Sequence, residues 1–147
     1  MEIIVVSERE GVFRAVARRM EWEGTRGPLE EDSYGRVSVS EADRGLLHSF
    51  FDEAAMRVID VCRPFLRGAS NDDVALRLRM ECSALIDGGE LQLAIDNMLA
   101  ADVLAQWQEI VSPARSGSSG RKRDECGLMV QSVLYHHQRP VRRRAGD

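Results

Sequence analysis

The sequence predicts a mainly α-helical (α+β) domain, in which a four-helix body carries a small antiparallel β element around residues 74–82. Three observations predict this fold class. Residues 90–111 form a long apolar run without Pro or Gly, three further segments have apolar residues at helical spacing, and residues 73–82 alternate between apolar and polar side chains. A chain of 147 residues is long enough to bury one hydrophobic core.

The central element is the predicted helix at residues 90–111. Its apolar residues lie all around the helical wheel, which is typical of a helix buried on several sides. They are Leu91, Ile95, Met98, Leu99, Val103, Leu104, Trp107, Ile110 and Val111. Such a helix spans roughly 33 Å, so the rest of the chain has to cover it.

The N-terminal part predicts a strand followed by a helix. Residues 2–6 are apolar and mostly β-branched, which favours an extended segment. Ser7 and Glu10 have the spacing of a capping box, which predicts a helix over residues 8–21. We expect Gly24 and the Gly27-Pro28 pair to end this helix before an acidic loop.

The second predicted helix covers residues 41–66. Ser40 and Asp43 predict its N-cap, and Pro64 should kink or close its last turn. We expect the following Gly and Ser residues, ending at Asn71, to form a turn.

The stretch 73–82 alternates with a period of two and is predicted to be a half-exposed strand. Its apolar side consists of Val74, Leu76, Leu78, Met80 and Cys82. A single strand needs a partner, and the candidates are residues 2–6 and residues 36–39.

The C-terminal part predicts a flexible connector, a fourth helix and a basic tail. Ser and Gly dominate residues 112–121, which indicates a connector. The helix is predicted over residues 121–137, with its apolar face formed by Cys126, Met129, Val130, Val133, Leu134 and His137. We therefore expect one domain over residues 1–138 and a tail over residues 139–147 that becomes ordered only with a partner.

No catalytic, metal-binding or cofactor-binding pattern stands out in the sequence. His48 and Asp52 are four residues apart on one predicted helix, and we interpret them as a surface ion pair rather than a general base with its partner. The segment GSSGRK at residues 117–122 lacks the spacing of a phosphate-binding loop. The three cysteines have no paired spacing and are interpreted as buried free thiols. We expect neither an enzyme nor a cofactor.

The charge pattern favours a partner for the tail. Residues 121–147 contain seven Arg or Lys residues against three acidic ones, although the whole chain has a net charge of −4. The tail arginines could bind phosphates of a nucleic acid in a salt-sensitive way, bind an acidic protein surface, or only increase solubility. The sequence has no apolar run long enough for a membrane span and no signal peptide, so we expect a soluble, intracellular protein without membrane contact.

Three stretches carry a resemblance to a known class of proteins. They are YGRVSVSEADRGLLHSFFDEAAMRVIDVCRPFL at residues 34–66, LAADVLAQWQEIVSP at residues 99–113 and VLYHHQRPVRRR at residues 133–144. In this order they resemble small structural proteins of tailed phages and prophages, similar in layout to head–tail connector (adaptor) subunits. The resemblance covers roughly residues 34–144.

The resemblance implies a non-enzymatic virion assembly protein of the neck, which forms a homo-oligomeric ring between portal and tail proteins. It implies Trp107 as a structural anchor and a partner-binding segment formed by Tyr135, Arg139, Pro140, Arg142, Arg143 and Arg144. The expected location is the virion, or the host cytoplasm during assembly. The alternative is a small nucleic-acid-binding regulator that uses the Arg-rich tail.

Overall fold

The computed structural model describes residues 1–26, 44–111 and 116–135. Within these ranges the chain forms four helices and a small antiparallel sheet, as the sequence predicts, and the sheet has three strands. In chain order the elements are β1 (Glu2–Glu8), α1 (Arg9–Arg26), α2 (Arg44–Cys62), a 3-10 turn (Arg63–Phe65), β2 (Leu66–Asn71), β3 (Ala75–Glu81), α3 (Gly88–Val111) and α4 (Ser116–Tyr135). The candidate strand at residues 36–39 and the tail at residues 139–147 lie outside the described residues.

The sheet has the order β1-β3-β2, with both pairs antiparallel. The predicted strand around residues 74–82 is therefore its central strand, and the predicted partner near the N-terminus is confirmed. Val5 lies opposite Leu78, and both side chains are buried on the face that packs against the helices. From Leu76 onwards, the apolar residues of the alternating stretch therefore lie on this inner face, and its polar residues lie on the opposite face.

β2 was not predicted, because its residues indicate a turn. Gly68, Ser70 and Asn71 have little preference for strands, and four of the six residues of β2 are exposed. The segment nevertheless pairs with β3, with an irregularity in the register between Leu66 and Gly68. Main-chain pairing with an already formed strand does not require an apolar pattern, so the hydrophobic spacing could not predict β2.

The turn lies four residues later than predicted, at Asp72–Val74. One carboxylate oxygen of Asp72 accepts hydrogen bonds from the backbone N–H groups of Val74 at 2.8 Å and Ala75 at 2.9 Å. These two bonds, together with Arg77, lower the pKa of Asp72. Val74 is consequently in the turn and 60% exposed, so its predicted place on the inner face was wrong, whereas Ala75 is buried.

The predicted capping box at Ser7 was also wrong. Ser7 belongs to β1, and its buried hydroxyl donates a hydrogen bond of 2.6 Å to Asp96 of α3. α1 begins at Arg9, whose backbone N–H donates to the carbonyl oxygen of Val74 at 2.9 Å. The helix then continues to Arg26, because the glycine at position 24 costs only about 1 kcal/mol inside a helix and does not end it.

α3 is the central helix, as predicted. It packs against α1, α2, α4 and β1, and every residue from position 101 to position 108 is buried. Trp107 is among the largest fully buried side chains, with 2% of its surface exposed. Its indole Nε1–H meets no hydrogen-bond acceptor among the described residues. Ile110 lies at the end of the buried run and is 57% exposed, in contrast to its predicted inner position.

The other two helix ends differ from the predictions in detail. α2 ends at Cys62, and Pro64 lies in the 3-10 turn that closes it, as its position predicts. α4 begins at Ser116, so residues 116–120 of the predicted connector are helical, while residues 112–115 lie outside the described residues. The hydroxyl of Ser119 donates to the side-chain oxygen of Gln108, which joins the first turn of α4 to α3. Val130 and Leu134 are buried as predicted, but Met129 is 58% exposed.

Replacing Trp107 with Ala should lower the free energy of unfolding by about 3–5 kcal/mol, because the substitution leaves a large cavity beside α3. Urea denaturation followed by circular dichroism measures this loss. Trp107→Phe should cost under about 2 kcal/mol, since it keeps a ring and removes an N–H for which no described residue provides an acceptor. The exposed control Ile110→Ala should change stability by about 0.5 kcal/mol at most. A loss below about 1 kcal/mol for Trp107→Ala would contradict its role as an anchor.

Candidate functional site

Tyr135 is the one residue of the predicted contact segment that lies within the described ranges. It ends α4 and is 43% exposed. Its ring packs edge-on against Phe65, with 5.1 Å between the ring centroids. Phe65 is the last residue before β2, so the last residue of α4 lies beside the start of an edge strand. Arg139, Pro140, Arg142, Arg143 and Arg144 lie outside the described residues.

The outer edge of β1 is covered at Val6 by a side chain from α3. The Gln92 amide nitrogen donates to the carbonyl oxygen of Val6 at 2.9 Å, and the Gln92 oxygen accepts from the Val6 N–H at 3.2 Å. The same amide nitrogen donates to Asp96, whose carboxylate also holds Ser7. A side-chain amide that satisfies both main-chain groups of an edge residue occupies the place that another strand would need.

The outer edge of β2 has no such cover within the described ranges. β2 pairs with β3 on one side, and no described residue pairs with its main chain on the other side. The carbonyl oxygen of Arg67 accepts a long side-chain hydrogen bond of 3.4 Å from Arg79. Of the two outer strands, β2 is therefore the one whose edge no described residue covers. β3, in contrast, is paired on both sides.

The most highly connected polar side chain is Arg9, which sequence reasoning did not identify. Only 5% of Arg9 is exposed. Its Nε donates to the carbonyl oxygen of Asp72 at 3.0 Å, and its Nη2 donates to Asp52 at 2.6 Å and to Asn71 at 2.9 Å. Its Nη1 is 3.0 Å from Nδ1 of His48. We call these five residues the Arg9 cluster.

The Arg9 cluster changes the interpretation of His48 and Asp52. The two side chains do not form the predicted ion pair with each other, since each binds the guanidinium of Arg9 instead. Because a guanidinium only donates hydrogen bonds, Nδ1 of His48 must accept here, which places the proton of the neutral ring on Nε2. The guanidinium also lies over the ring of Phe51, at 4.5 Å from its centroid.

The Arg9 cluster joins three parts of the fold. Arg9 comes from the first turn of α1, His48 and Asp52 from α2, and Asn71 and Asp72 from the end of β2 and the turn that follows. Every donor direction of the guanidinium is used by an acceptor of this protein. The arrangement therefore holds the turn at the end of β2 in place.

A second polar contact ties α2 to α3 inside the helical body. Asp102 is 1% exposed and pairs with Arg57 of α2, and this hydrogen bond raises the pKa of Arg57. Gln106 donates to the Phe50 carbonyl oxygen at 3.2 Å and to Asp102 at 3.4 Å. The second oxygen of Asp102 has no hydrogen-bond partner among the described residues. The pair orients two helices against each other, since breaking it would leave a buried charge.

The described residues include no constellation for metal chemistry. Within these ranges no three His, Cys, Asp or Glu side chains come together in a way that could hold a metal ion. Cys62 and Cys82 are buried free thiols, as predicted, and burial raises the pKa of Cys62 to about 12. Cys126 is only partly buried. None of the helices in the described ranges combines the length and the apolar character needed to cross a membrane.

Comparisons with known proteins find no match. No protein family matches the sequence. No curated protein matches it either. No solved structure matches the fold.

Replacing Arg9 with Ala should lower the free energy of unfolding by about 3 kcal/mol, because several charge-assisted hydrogen bonds are lost at once. Arg9→Lys should still cost about 2 kcal/mol, because an ammonium group cannot reach all of these acceptors. Urea denaturation measures both effects. The matched control is Arg14→Ala on the exposed side of α1, for which we expect a change within about 0.5 kcal/mol. Equal losses for Arg9→Ala and Arg14→Ala would exclude a structural role of the Arg9 cluster.

Proposed function

We propose that this protein is a non-enzymatic assembly subunit, a head–tail connector (adaptor) or neighbouring neck component of a tailed-phage virion. The observation that carries the proposal is the main-chain edge of β2, which no described residue covers and whose preceding residue, Phe65, packs against Tyr135. An adaptor acts through contacts with other proteins, and an uncovered strand edge provides a place for such contacts.

The edge of β2 supports an assembly role through main-chain hydrogen bonding. An extended segment of a neighbouring subunit that pairs with residues 66–71 would satisfy N–H and C=O groups that no described residue satisfies. Pairing of this type tolerates the Gly, Ala and Ser side chains of β2, because its affinity comes from the backbone. The polar composition of β2, which predicts a turn, suits a strand whose free edge is covered only in an assembly.

The two sheet edges support a directional contact. Because Gln92 covers Val6 on β1, the β1 edge of one subunit is a poor partner for the β2 edge of the next. The β2 edge should therefore bind a different segment of its neighbour. A contact between unlike surfaces is head-to-tail, and repeated contacts of this kind close into a ring when the rotation permits it.

Two arginines of β3 give no support to the alternative of a nucleic-acid-binding regulator. They are paired with acidic side chains of the same chain: Arg77 with Asp72, and Arg79 with Glu2 at 3.4 Å. Cations that are already neutralised add little to phosphate binding. This alternative depends on the tail arginines, so replacing them tests it.

Ser70→Lys should prevent self-association without unfolding the protein. Lysine on an edge strand disfavours pairing with another strand, because its charge would be buried in the contact. The measurement is the mass in solution by sedimentation velocity over a range of protein concentrations. We expect the parent protein to form larger species as its concentration rises and the Ser70→Lys variant to remain monomeric.

The matched control for Ser70→Lys is Ser118→Lys, since Ser118 is an exposed serine on α4, away from the sheet. It should assemble like the parent protein. Melting curves of both variants establish that the fold is retained. If the Ser70→Lys variant assembled at the same protein concentrations as the parent protein, the proposed role of the β2 edge would be wrong.

Removal of residues 139–147 should leave the melting temperature unchanged and reduce binding to portal and tail proteins. The measurement is affinity purification of the tagged protein from cells in which the prophage of the source genome is induced, followed by mass spectrometry. Portal, capsid or tail proteins should be recovered with the full chain and depleted with the shortened one.

The matched control replaces the three consecutive arginines at positions 142–144 with Ser and keeps the length of the chain. Recovery of DNA-maintenance or transcription proteins, together with DNA binding that falls with salt and requires these arginines, would favour the regulator instead. A large decrease in melting temperature on truncation would show that the tail belongs to the core and contradict its proposed role as a contact segment.

A further inference from the structure

A shallow trough runs between α1 and α3 on the side of the molecule away from α2. It consists of two adjoining hollows that share Ala15, Asn97 and Ala100 as lining residues. One hollow has acidic side chains at its border, Glu8 and Asp96. The other hollow has basic side chains instead. The trough therefore has an acidic end and a basic end, separated by small side chains.

The basic end is a cleft of about 190 Å³ between α1, α3 and α4. Its apolar surface is formed by Ala15, Val16, Ala100, Ala101 and Leu104, and its polar groups come from Asn97, Arg19, Lys122 and Cys126. We call it the Arg19/Lys122 cleft. Its two cations come from different helices, so the cleft exists only in the folded protein.

The two cations of the Arg19/Lys122 cleft have no acidic partner in the part of the chain that the structure describes. Among the described residues, neither Arg19 nor Lys122 makes an ion pair or a hydrogen bond, whereas Arg57, Arg63 and Arg77 each pair with an Asp. Asn97 also has no hydrogen-bond partner in the described part of the chain. Two unneutralised cations and an amide beside an apolar surface form an arrangement that attracts an anion with several oxygen atoms.

We propose that the Arg19/Lys122 cleft binds an oxyanion, a carboxylate or a phosphate group, attached to a small apolar body. The guanidinium of Arg19 offers two parallel N–H donors to such a group, and the ammonium of Lys122 adds a second charge. The volume corresponds to about six water molecules, which suits a single anionic group and a few carbon atoms rather than a large cofactor. Glu8 and Asp96 at the other end repel a second anionic group and so set the direction of the ligand.

Cys126 lies in this cleft, so the reaction rate of its thiol reports on the local charge. Burial raises the pKa of its thiol, Lys122 and Arg19 oppose this shift, and Glu125 adds to it. The thiol is therefore neutral near pH 7 and leaves both positive charges available for a ligand. Cys62 and Cys82 are buried, so Cys126 is the thiol that reacts first in the folded protein.

The test follows the modification of Cys126 in the full chain with two reagents, the anionic disulfide 5,5′-dithiobis(2-nitrobenzoate) and neutral iodoacetamide. We expect the double variant Arg19→Gln/Lys122→Gln to react roughly fivefold more slowly with the anionic reagent than the parent does, since the local positive field is removed. The rate with neutral iodoacetamide should fall by a smaller factor, because removal of the two cations also raises the pKa of the Cys126 thiol. The ratio of the two rates therefore isolates the attraction of the anionic reagent. The matched control Arg14→Gln, on the same helix but outside the cleft, should behave like the parent.

Ligand occupancy is tested by protection of Cys126 from iodoacetamide with inorganic phosphate or succinate, against sodium chloride of equal ionic strength. Protection of the parent that is lost in the double variant supports the proposal, and the more effective anion identifies phosphate or carboxylate as the preferred group. Equal rates for parent and double variant with the anionic reagent, or protection no greater than that by sodium chloride, would overturn it. Peptide mapping of the modified residue shows that Cys126 is the site of reaction.

Discussion

The burial of α3 is the constraint on which the rest of the structure depends. A helix that is apolar around most of its circumference has to be surrounded, and α1, α2, α4 and the sheet surround it. Its buried polar groups then need partners from the surrounding elements, which is why Asp102 reaches Arg57 and Gln106 reaches the backbone of α2. These few polar contacts fix how the helices are oriented, which burial of apolar area alone does not do.

The inner face of the sheet shares the hydrophobic core of the helical body, and a few polar side chains add specific contacts at its edges. Gln92, Asp96 and Ser7 join α3 to β1, and the guanidinium of Arg9 joins α1 and α2 to the turn at the end of β2. Arg9 thus holds the end of the edge strand that we propose as a contact surface. A strand edge that is fixed in position loses less conformational entropy on binding than a free segment would.

The sequence predicted those parts of the fold that depend on the burial of apolar side chains. The central helix, the alternation at Leu76, Leu78 and Met80, and the N-terminal strand follow from periodicity, which is the direct consequence of having one buried face. The errors concern polar segments. Ser7 has the spacing of a helix cap but lies in a strand, and Gly68–Asn71 has the composition of a turn but pairs with β3. In both cases contacts with residues distant in sequence outweigh the local preference.

The candidate sites depend on such distant contacts even more strongly. Arg9 is 39 residues from His48 and 63 residues from Asp72 along the chain, so nothing near Arg9 in the sequence indicates what it binds. Arg19 and Lys122 likewise come together only because α1 and α4 pack beside the same helix. A charged side chain that is paired within the fold is not available to bind a ligand, whereas an unpaired one is. Arg9 and Arg57 are thus basic residues with a structural role, whereas Arg19 and Lys122 are the ones that we propose for ligand binding. This difference follows from the packing of α3, because the same helix provides Asp102 for Arg57 and Asn97 for the cleft.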